Sequence, residues 1–408
     1  MNPREIKIAD YTYHLPNERI AIYPLEERDS SKLLIYKNGE ISQDIYKNIA
    51  THIPENSLLI FNNTKVIEAR ILFEKSEQRP IEIFCLEPSE RIDIANAMLQ
   101  KSGVKWNCFI GGAARWKSGI LEKQIIINGI IFNLTCEKIE KKDNYFIVEF
   151  NWDNLNLCFA EVLHFAGIIP LPPYLNRAAN ENDYERYQTV YAQNTGSVAA
   201  PTAGLHFTNQ VLESFKKKNI QKNFVTLHVG SGTFKPVKSE TLNDHDMHSE
   251  WINVSRQLIE NLIEQNNEPI IAVGTTSLRT IESLYWMGIK AYNNPNTTIK
   301  EIEIRQWDVY EVINNNLSKK DALSSLLNWL KMNNLEQIII PTQIIITPSY
   351  SLKVADAIVT NFHQPNSTLL LLIAAIIGDD WRTIYNFALN NEYRFLSYGD
   401  GSLLWNKK

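Results

Sequence analysis

Apolar positions along this chain fall into two textures. From about 72 to 155, short β-rich pieces alternate with Gly and charged turns: IEIFCL (81–86), WNCFIGG (106–112), QIIINGIIFNLTCEKI (124–139) and YFIVEF (145–150). Asn128-Gly129, between two apolar runs, predicts a hairpin. Short strands at this spacing with little helical period predict a small β-barrel. From 156 onward the pattern is strand, loop, helix. Phe224–Val229, Ile270–Val273 and Ala355–Thr360 read as buried strands, each followed by a polar loop. Upstream, Leu58–Phe61 reads as another buried strand that ends at Asn62–Asn63. Alternating strands and helices imply an α/β sheet. The predicted organisation is a discontinuous α/β catalytic domain, 1–71 and 156–408, with an inserted small β-barrel domain over 72–155.

Helix starts are marked by polar caps. Thr208 precedes NQVLESFKKK, and Asn366 or Ser367 precedes the apolar run 369–377. Ser318 and Asp321 form a capping box ahead of Ala322, Leu323, Leu326, Leu327 and Leu330, which share one helical face. That helix lies in 287–340, a segment expected to cover the outside of the α/β domain and to stay clear of its site.

Composition narrows the class. A chain of 408 residues with net charge −5 is not an indiscriminate basic nucleic-acid binder, though a local basic patch is permitted. Four cysteines, Cys85, Cys108, Cys136 and Cys158, form no C-x-x-C pair and read as buried thiols. The N-terminus lacks an apolar signal core, and LLLLIAAII (369–377) falls short of the roughly 20 residues a membrane span requires. The expectation is a cytoplasmic protein with no membrane contact.

Candidate chemistry crowds into 201–283. In GTTSLRTIES (274–283), Thr275, Thr276 and Ser277 open a helix, where free N–H groups suit an anion, and Arg279 can fork a carboxylate or phosphate. The structural alternative is a cap with Arg279 paired to Glu282. In TLHVGSGTF (226–234), Gly230, Ser231 and Gly232 permit close approach of a flat ligand that Phe234 would stack on, with His228 in the strand. The alternative is a tight turn beside a core histidine. PTAGLHFT (201–208) sets His206 at a loop–helix junction, as an acid or base or as a hydrogen-bonded structural residue. His245, His248 and Glu250 have a spacing that suggests a metal, but no third-ligand motif accompanies them, so no metal is expected. Arg28, Lys32, Lys65 and Arg177, beside Tyr23, Tyr174 and Tyr187, suit an RNA backbone and its bases, or simply a solvated surface.

These three motifs resemble the S-adenosylmethionine:tRNA ribosyltransferase-isomerase family of queuosine biosynthesis. So do AIYPLEERDSSKLLIY (21–36), LLIFNNTKVIEAR (58–70), GIIPLPPYL (167–175), YQTVYA (187–192), MHSEW (247–251), VADAIVTNFHQPNSTLLLL (354–372) and YRFLSYGD (393–400), in the same order. The resemblance implies transfer and isomerisation of the ribosyl moiety of S-adenosylmethionine onto 7-aminomethyl-7-deazaguanine at the tRNA wobble position. The products are epoxyqueuosine-tRNA, adenine and methionine. It implies no cofactor, since S-adenosylmethionine is consumed as co-substrate, and a partner tRNA presenting the anticodon loop of a GUN anticodon. With the residue readings it points to His206 and His228 as catalytic groups. Gly230, Ser231, Gly232, Thr275, Thr276, Ser277 and Arg279 are the expected S-adenosylmethionine contacts. Arg28, Lys65, Tyr174 and Arg177 are the expected tRNA contacts, on a monomer. Three departures stand out: Thr347-Pro348-Ser349 replaces the family's Tyr-Pro-Gly loop, Gln364 replaces a Leu, and 287–340 is longer. A divergent paralogue acting on another RNA or nucleoside, or a non-catalytic RNA- or nucleotide-binding protein, is the alternative.

Overall fold

The computed structural model describes residues 2–75, 78–90, 92, 94–127, 129–230, 239–265, 267–311 and 317–407. Its centre is a nine-stranded sheet. In spatial order the strands are Gln337–Thr342, Glu250–Ser255, Gln221–Leu227, Leu58–Asn62, Ile270–Val273, Ala357–Asn361, Gly401–Trp405, Lys32–Lys37 and Glu40–Ile45. The inner four from Gln221–Leu227 to Ala357–Asn361 run parallel. The two ends of the chain meet in this sheet, where Lys32–Lys37 pairs in parallel with Gly401–Trp405.

Gln221–Leu227 opens polar and exposed, whereas 58–61, Ile270–Val273 and 357–359 are unbroken apolar runs because both faces are covered. Their alternation divides two cores. Leu58, Ile60, Ile270, Ala272 and Ile358 face one layer, and Leu59, Phe61, Ile271, Val273, Ala357 and Val359 face the other. The first layer is closed by helices Thr275–Asn293, Lys319–Met332 and Thr368–Ile377. The second holds the short helix Asn209–Ser214 and the 3-10 turn Tyr46–His52. The predicted caps form: Thr208 accepts from Val211 N–H, and Ser367 from Leu370 N–H.

The second sheet is antiparallel throughout, in the order Gly167–Ile168, Arg70–Lys75, Gln78–Pro88, Val104–Gly111, Phe146–Trp152, Ile130–Lys141 and Leu121–Ile127. It curls into a half-barrel. Lys123 on its last strand reaches Leu72 O at 3.1 Å, and helix Phe159–Ala166 packs its Phe159, Val162 and Leu163 into the same core. Asn128 of the expected hairpin lies outside the described residues. Ile127 pairs with Ile130, and Gly129 has φ +82°, as such a tight connection requires. Cys85, Cys108 and Cys136 are buried thiols in this sheet.

In 287–340, Ser318 caps helix Lys319–Met332 by accepting from Asp321 N–H at 3.1 Å. Its buried stripe is Ala322, Leu323, Leu326, Trp329 and Leu330, whereas Leu327, expected in that stripe, is only half-buried. The segment also reaches inward. Gln306 accepts from Met247 N–H and donates to His245 O, both at 2.8 Å, so it braces the loop before Glu250–Ser255. Tyr310 accepts from Thr347 N–H at 3.0 Å, holding the Thr347-Pro348-Ser349 loop. Ser349 is absent from the residues with positive φ, so this loop does not need the glycine it lacks.

Candidate active site

The parallel strands deliver their carboxyl ends to one cleft, as open α/β sheets do. Val229 follows one strand, Gly274–Thr276 another, and Thr360–Gln364 a third; Thr202, Tyr174 and Ser397 complete the wall. Gly274 makes the strand-to-helix turn at φ +89° and donates to Val359 O at 2.8 Å. No side chain caps this helix, and its first backbone bond comes from Leu278 N–H to Gly274 O. The N–H groups of Thr275, Thr276 and Ser277 therefore precede the helical ladder, and the first two residues line the cleft. Asn62 holds this corner. Its amide donates to Leu227 O at 2.9 Å and Thr276 Oγ1 at 3.3 Å, and accepts from Leu227 N–H at 3.1 Å.

His363 is the histidine in the cleft wall. Its Nε2 lies 2.9 Å from Thr360 Oγ1, and its backbone N–H donates to Tyr385. The surrounding protein pushes its pKa down to about 4, so the ring is neutral and proton-accepting at physiological pH. Tyr174 lines the cleft with its hydroxyl bonded to Ser397 Oγ.

Several other expected site residues stand outside the cleft wall. Arg279 was read as a ligand fork, but it is 4% exposed and absent from the cleft wall. It pairs with Glu250 and donates to Ile344 O at 3.1 Å. Nor does it pair with Glu282, which accepts from Tyr350 and the backbone N–H groups of Lys353, Val354 and Ala355 at 2.7–3.0 Å. Burial alone would raise the Glu250 carboxyl, but Arg279 and His248 bring it down to about 2. Ser277 is fully buried behind the wall. His206, expected to be an acid or base, is buried against Tyr46 with ring centroids 4.3 Å apart. Burial lowers its pKa to about 3, with the nearby Arg394 and Arg28 charges adding to the effect, so it carries no second proton to donate at neutral pH. His228 is half-buried with Nδ1 2.9 Å from Thr64 Oγ1, and it too stands outside the cleft-lining set. Gly230 lies beside His248, with 3.8 Å between an added Cβ and its ring, whereas Ser231, Gly232 and Phe234 lie outside the described residues.

The expected RNA contacts divide similarly. Arg28 gives its guanidinium to the carbonyls of Gln188 and Glu185 at 2.6 and 2.8 Å. Arg177 forks Asp183 at 2.6 and 2.8 Å and stacks on Tyr23 at 4.3 Å. Both are committed inside the protein, whereas Lys65 is exposed. Of the four, Tyr174 is the one that lines the cleft.

Residues 8–404 match the family model described as queuosine biosynthesis protein. Two S-adenosylmethionine:tRNA ribosyltransferase-isomerases, from Rickettsia bellii strains OSU 85-389 and RML369-C, are each 35% identical over 411 residues, covering 98% of this chain and 100% of theirs. The chain belongs to the queuosine biosynthesis protein family. Among solved structures, the S-adenosylmethionine tRNA ribosyltransferase of Thermotoga maritima is 26% identical, covering 97% of this chain and 99% of that one, with a TM-score of 0.45.

In this family member the residue reading missed three wall residues as ligand candidates: Thr202, Asn361 and His363. The signal was present. VTNFHQPN crowds five polar side chains into the end of an apolar strand and the turn after it, much as GTTS follows Ile270–Val273.

Proposed function

We propose that this enzyme transfers and isomerises the ribosyl moiety of S-adenosylmethionine onto 7-aminomethyl-7-deazaguanine in the wobble position of tRNAs with GUN anticodons, releasing adenine and methionine. The observation that carries this reading is the full-length relation to the two Rickettsia enzymes, whose name states a tRNA ribosyltransferase-isomerase that uses S-adenosylmethionine. The relation spans nearly the whole chain, which favours the enzyme over a binding module that kept one domain.

The cleft chemistry suits the reaction. The sulfonium acidifies the adjacent ribose carbon, so a neutral imidazole can serve as base, and His363 in the cleft wall is our candidate. The uncapped N–H groups at Thr275 and Thr276 suit the methionine carboxylate. Once the carbon is deprotonated, the ribose ring opens, adenine leaves with a proton, the aminomethyl nitrogen of the tRNA base attacks and gives up a proton, and a sugar oxygen then displaces methionine from the sulfonium-bearing carbon to close the epoxide. S-adenosylmethionine is consumed as co-substrate, and the reading calls for no cofactor or metal. The target base sits in a single-stranded anticodon loop, where it can be splayed into the cleft beside Tyr174 without opening a duplex. Lys65 is an exposed cation available to that RNA.

We read the chain as a monomer of two domains, an α/β domain and a β insert that reaches beyond the expected 72–155 to take in Arg70–Lys75 and 159–168, working in the cytoplasm where tRNA is modified. Among the described residues no helix is long and apolar enough to cross a membrane. The test is incubation with S-adenosylmethionine and tRNA carrying the 7-deazaguanine precursor, followed by nucleoside mass spectrometry. Epoxyqueuosine with equimolar adenine and methionine is expected; an unchanged precursor would sink the reading.

A further inference from the structure

We propose that Asn361 selects the adenine base of the sulfonium substrate and that His206 is a positioning residue that fixes the direction of the Asn361 amide. Asn361 ends strand Ala357–Asn361 in the cleft wall and is 4% exposed. Its Oδ1 accepts from Thr202 Oγ1 at 2.8 Å, and its Nδ2 lies 3.3 Å from His206 Nε2.

An amide side chain has two senses, and the surrounding hydrogen bonds decide between them. His206 decides here. Its ring is stacked on Tyr46 at an interplanar angle of 26° and also bonds the backbone of Arg28. That contact acts to favour the protonated ring, and we take the Arg28 carbonyl as its acceptor, with a ring N–H toward it. Nε2 faces Asn361, so the proton sits on Nδ1 and a neutral ring offers Asn361 only a lone pair. Burial keeps the ring neutral, with a pKa near 3. Asn361 must then present an N–H to His206 and its oxygen to Thr202. The anchor does not drift, because the Arg28 guanidinium is tied to Gln188 O and Glu185 O.

After these two bonds the amide retains one N–H and one Oδ1 lone pair. A donor beside an acceptor in one plane complements adenine, which offers an acceptor ring nitrogen next to its N6 amine donor; asparagine reads adenine this way elsewhere. Hypoxanthine puts an oxygen where the amine was. Against an amide whose sense is locked, that substitution sets acceptor against acceptor.

This inference rests on the sulfonium-substrate reading above. Calorimetry would compare S-adenosylhomocysteine with its deaminated analogue, S-inosylhomocysteine. The wild type is expected to prefer the adenine probe by about tenfold or more, the scale of one hydrogen bond lost and one acceptor left unpaired. Asn361→Asp should erase that preference. His206→Phe keeps the stack on Tyr46 but removes the acceptor, and should erode it. His206→Gln, with an oxygen near the Nε2 position, should restore it, and should leave the pH profile of kcat/KM unmoved because this ring never titrates in the working range. A merely structural histidine would change stability and not the ratio between bases. Equal wild-type affinity for both probes overturns the proposal whatever the variants do, as does an unchanged ratio in both Asn361→Asp and His206→Phe. A wild type that binds neither probe instead removes the sulfonium-substrate reading, and this proposal with it.

Discussion

Gly288 and Ala322 are in backbone contact: a Cβ on Gly288 would lie 2.1 Å from the Ala322 carbonyl oxygen. The long helix Thr275–Asn293, whose first turn lines the cleft, is thus pressed against the helix of the 287–340 segment.

Gly288→Ala should therefore destabilise the protein even though alanine is the better helix former. Helix propensity would contribute about 1 kcal/mol in its favour. Forcing two backbones apart costs about 1–3 kcal/mol or more. A lowered melting temperature is the expected result. A raised one would mean that the helices separate freely.

Leu326→Asp should cost far more than Leu327→Asp, because Leu326 is fully buried and Leu327 only half so. Burying a carboxylate without a partner is opposed by several kcal/mol. Thermal melts of the two single variants compare them directly, and equal losses would contradict the packing.

The Glu250–Arg279 pair predicts an acid limb of stability. The Glu250 carboxyl has its pKa depressed from the ordinary 4.5 to about 2. A depressed carboxylate contributes stability that is full above its unfolded pKa and is lost as pH falls through the folded one. Between pH 5 and 2 the wild type should lose more stability than Glu250→Gln. Arg279→Leu should be worse than either at neutral pH, by about 3–5 kcal/mol, since it strands a buried charge. Denaturant melts across that pH range would show parallel curves if the pair were not ionised.

His363→Ala should lower turnover by about 10²-fold or more, the usual scale for a positioned base. Because its pKa lies near 4, the ring is already neutral above about pH 5. The wild-type kcat/KM should stay flat on the acid side until the ring protonates. Near-normal turnover in a folded His363→Ala protein would move the base elsewhere.

Thr275→Val with Thr276→Val should weaken S-adenosylmethionine binding by about 1–3 kcal/mol, as wall hydroxyls are lost and Asn62 loses the acceptor at Thr276. Calorimetry with the methionine-free nucleoside 5′-methylthioadenosine separates the effects. Its affinity should change less, because the helix start is assigned to the carboxylate.

Local order was legible along the chain because it is decided by neighbours in sequence. Ile270–Val273 had to be a covered strand, Ser318 had to cap a helix, Asn366 or Ser367 another, and the chain had to turn back by Gly129, since each rests on backbone geometry and a few adjacent side chains. The family motifs likewise marked the polar segments around the cleft. What the chain alone left open was which polar groups face the ligand and which face each other. Arg279 could have met Glu282 one helical turn away, but the sheet brings Glu250 to it from a different strand. His206 and His363 both stand in polar stretches rich in small residues, and only packing puts one behind Asn361 and the other in the cleft wall. A charge or a lone pair takes the partner nearest in space, and in a sheet whose adjacent strands come from residues 32–37 and 401–405 that distance is set by topology, not by spacing along the chain.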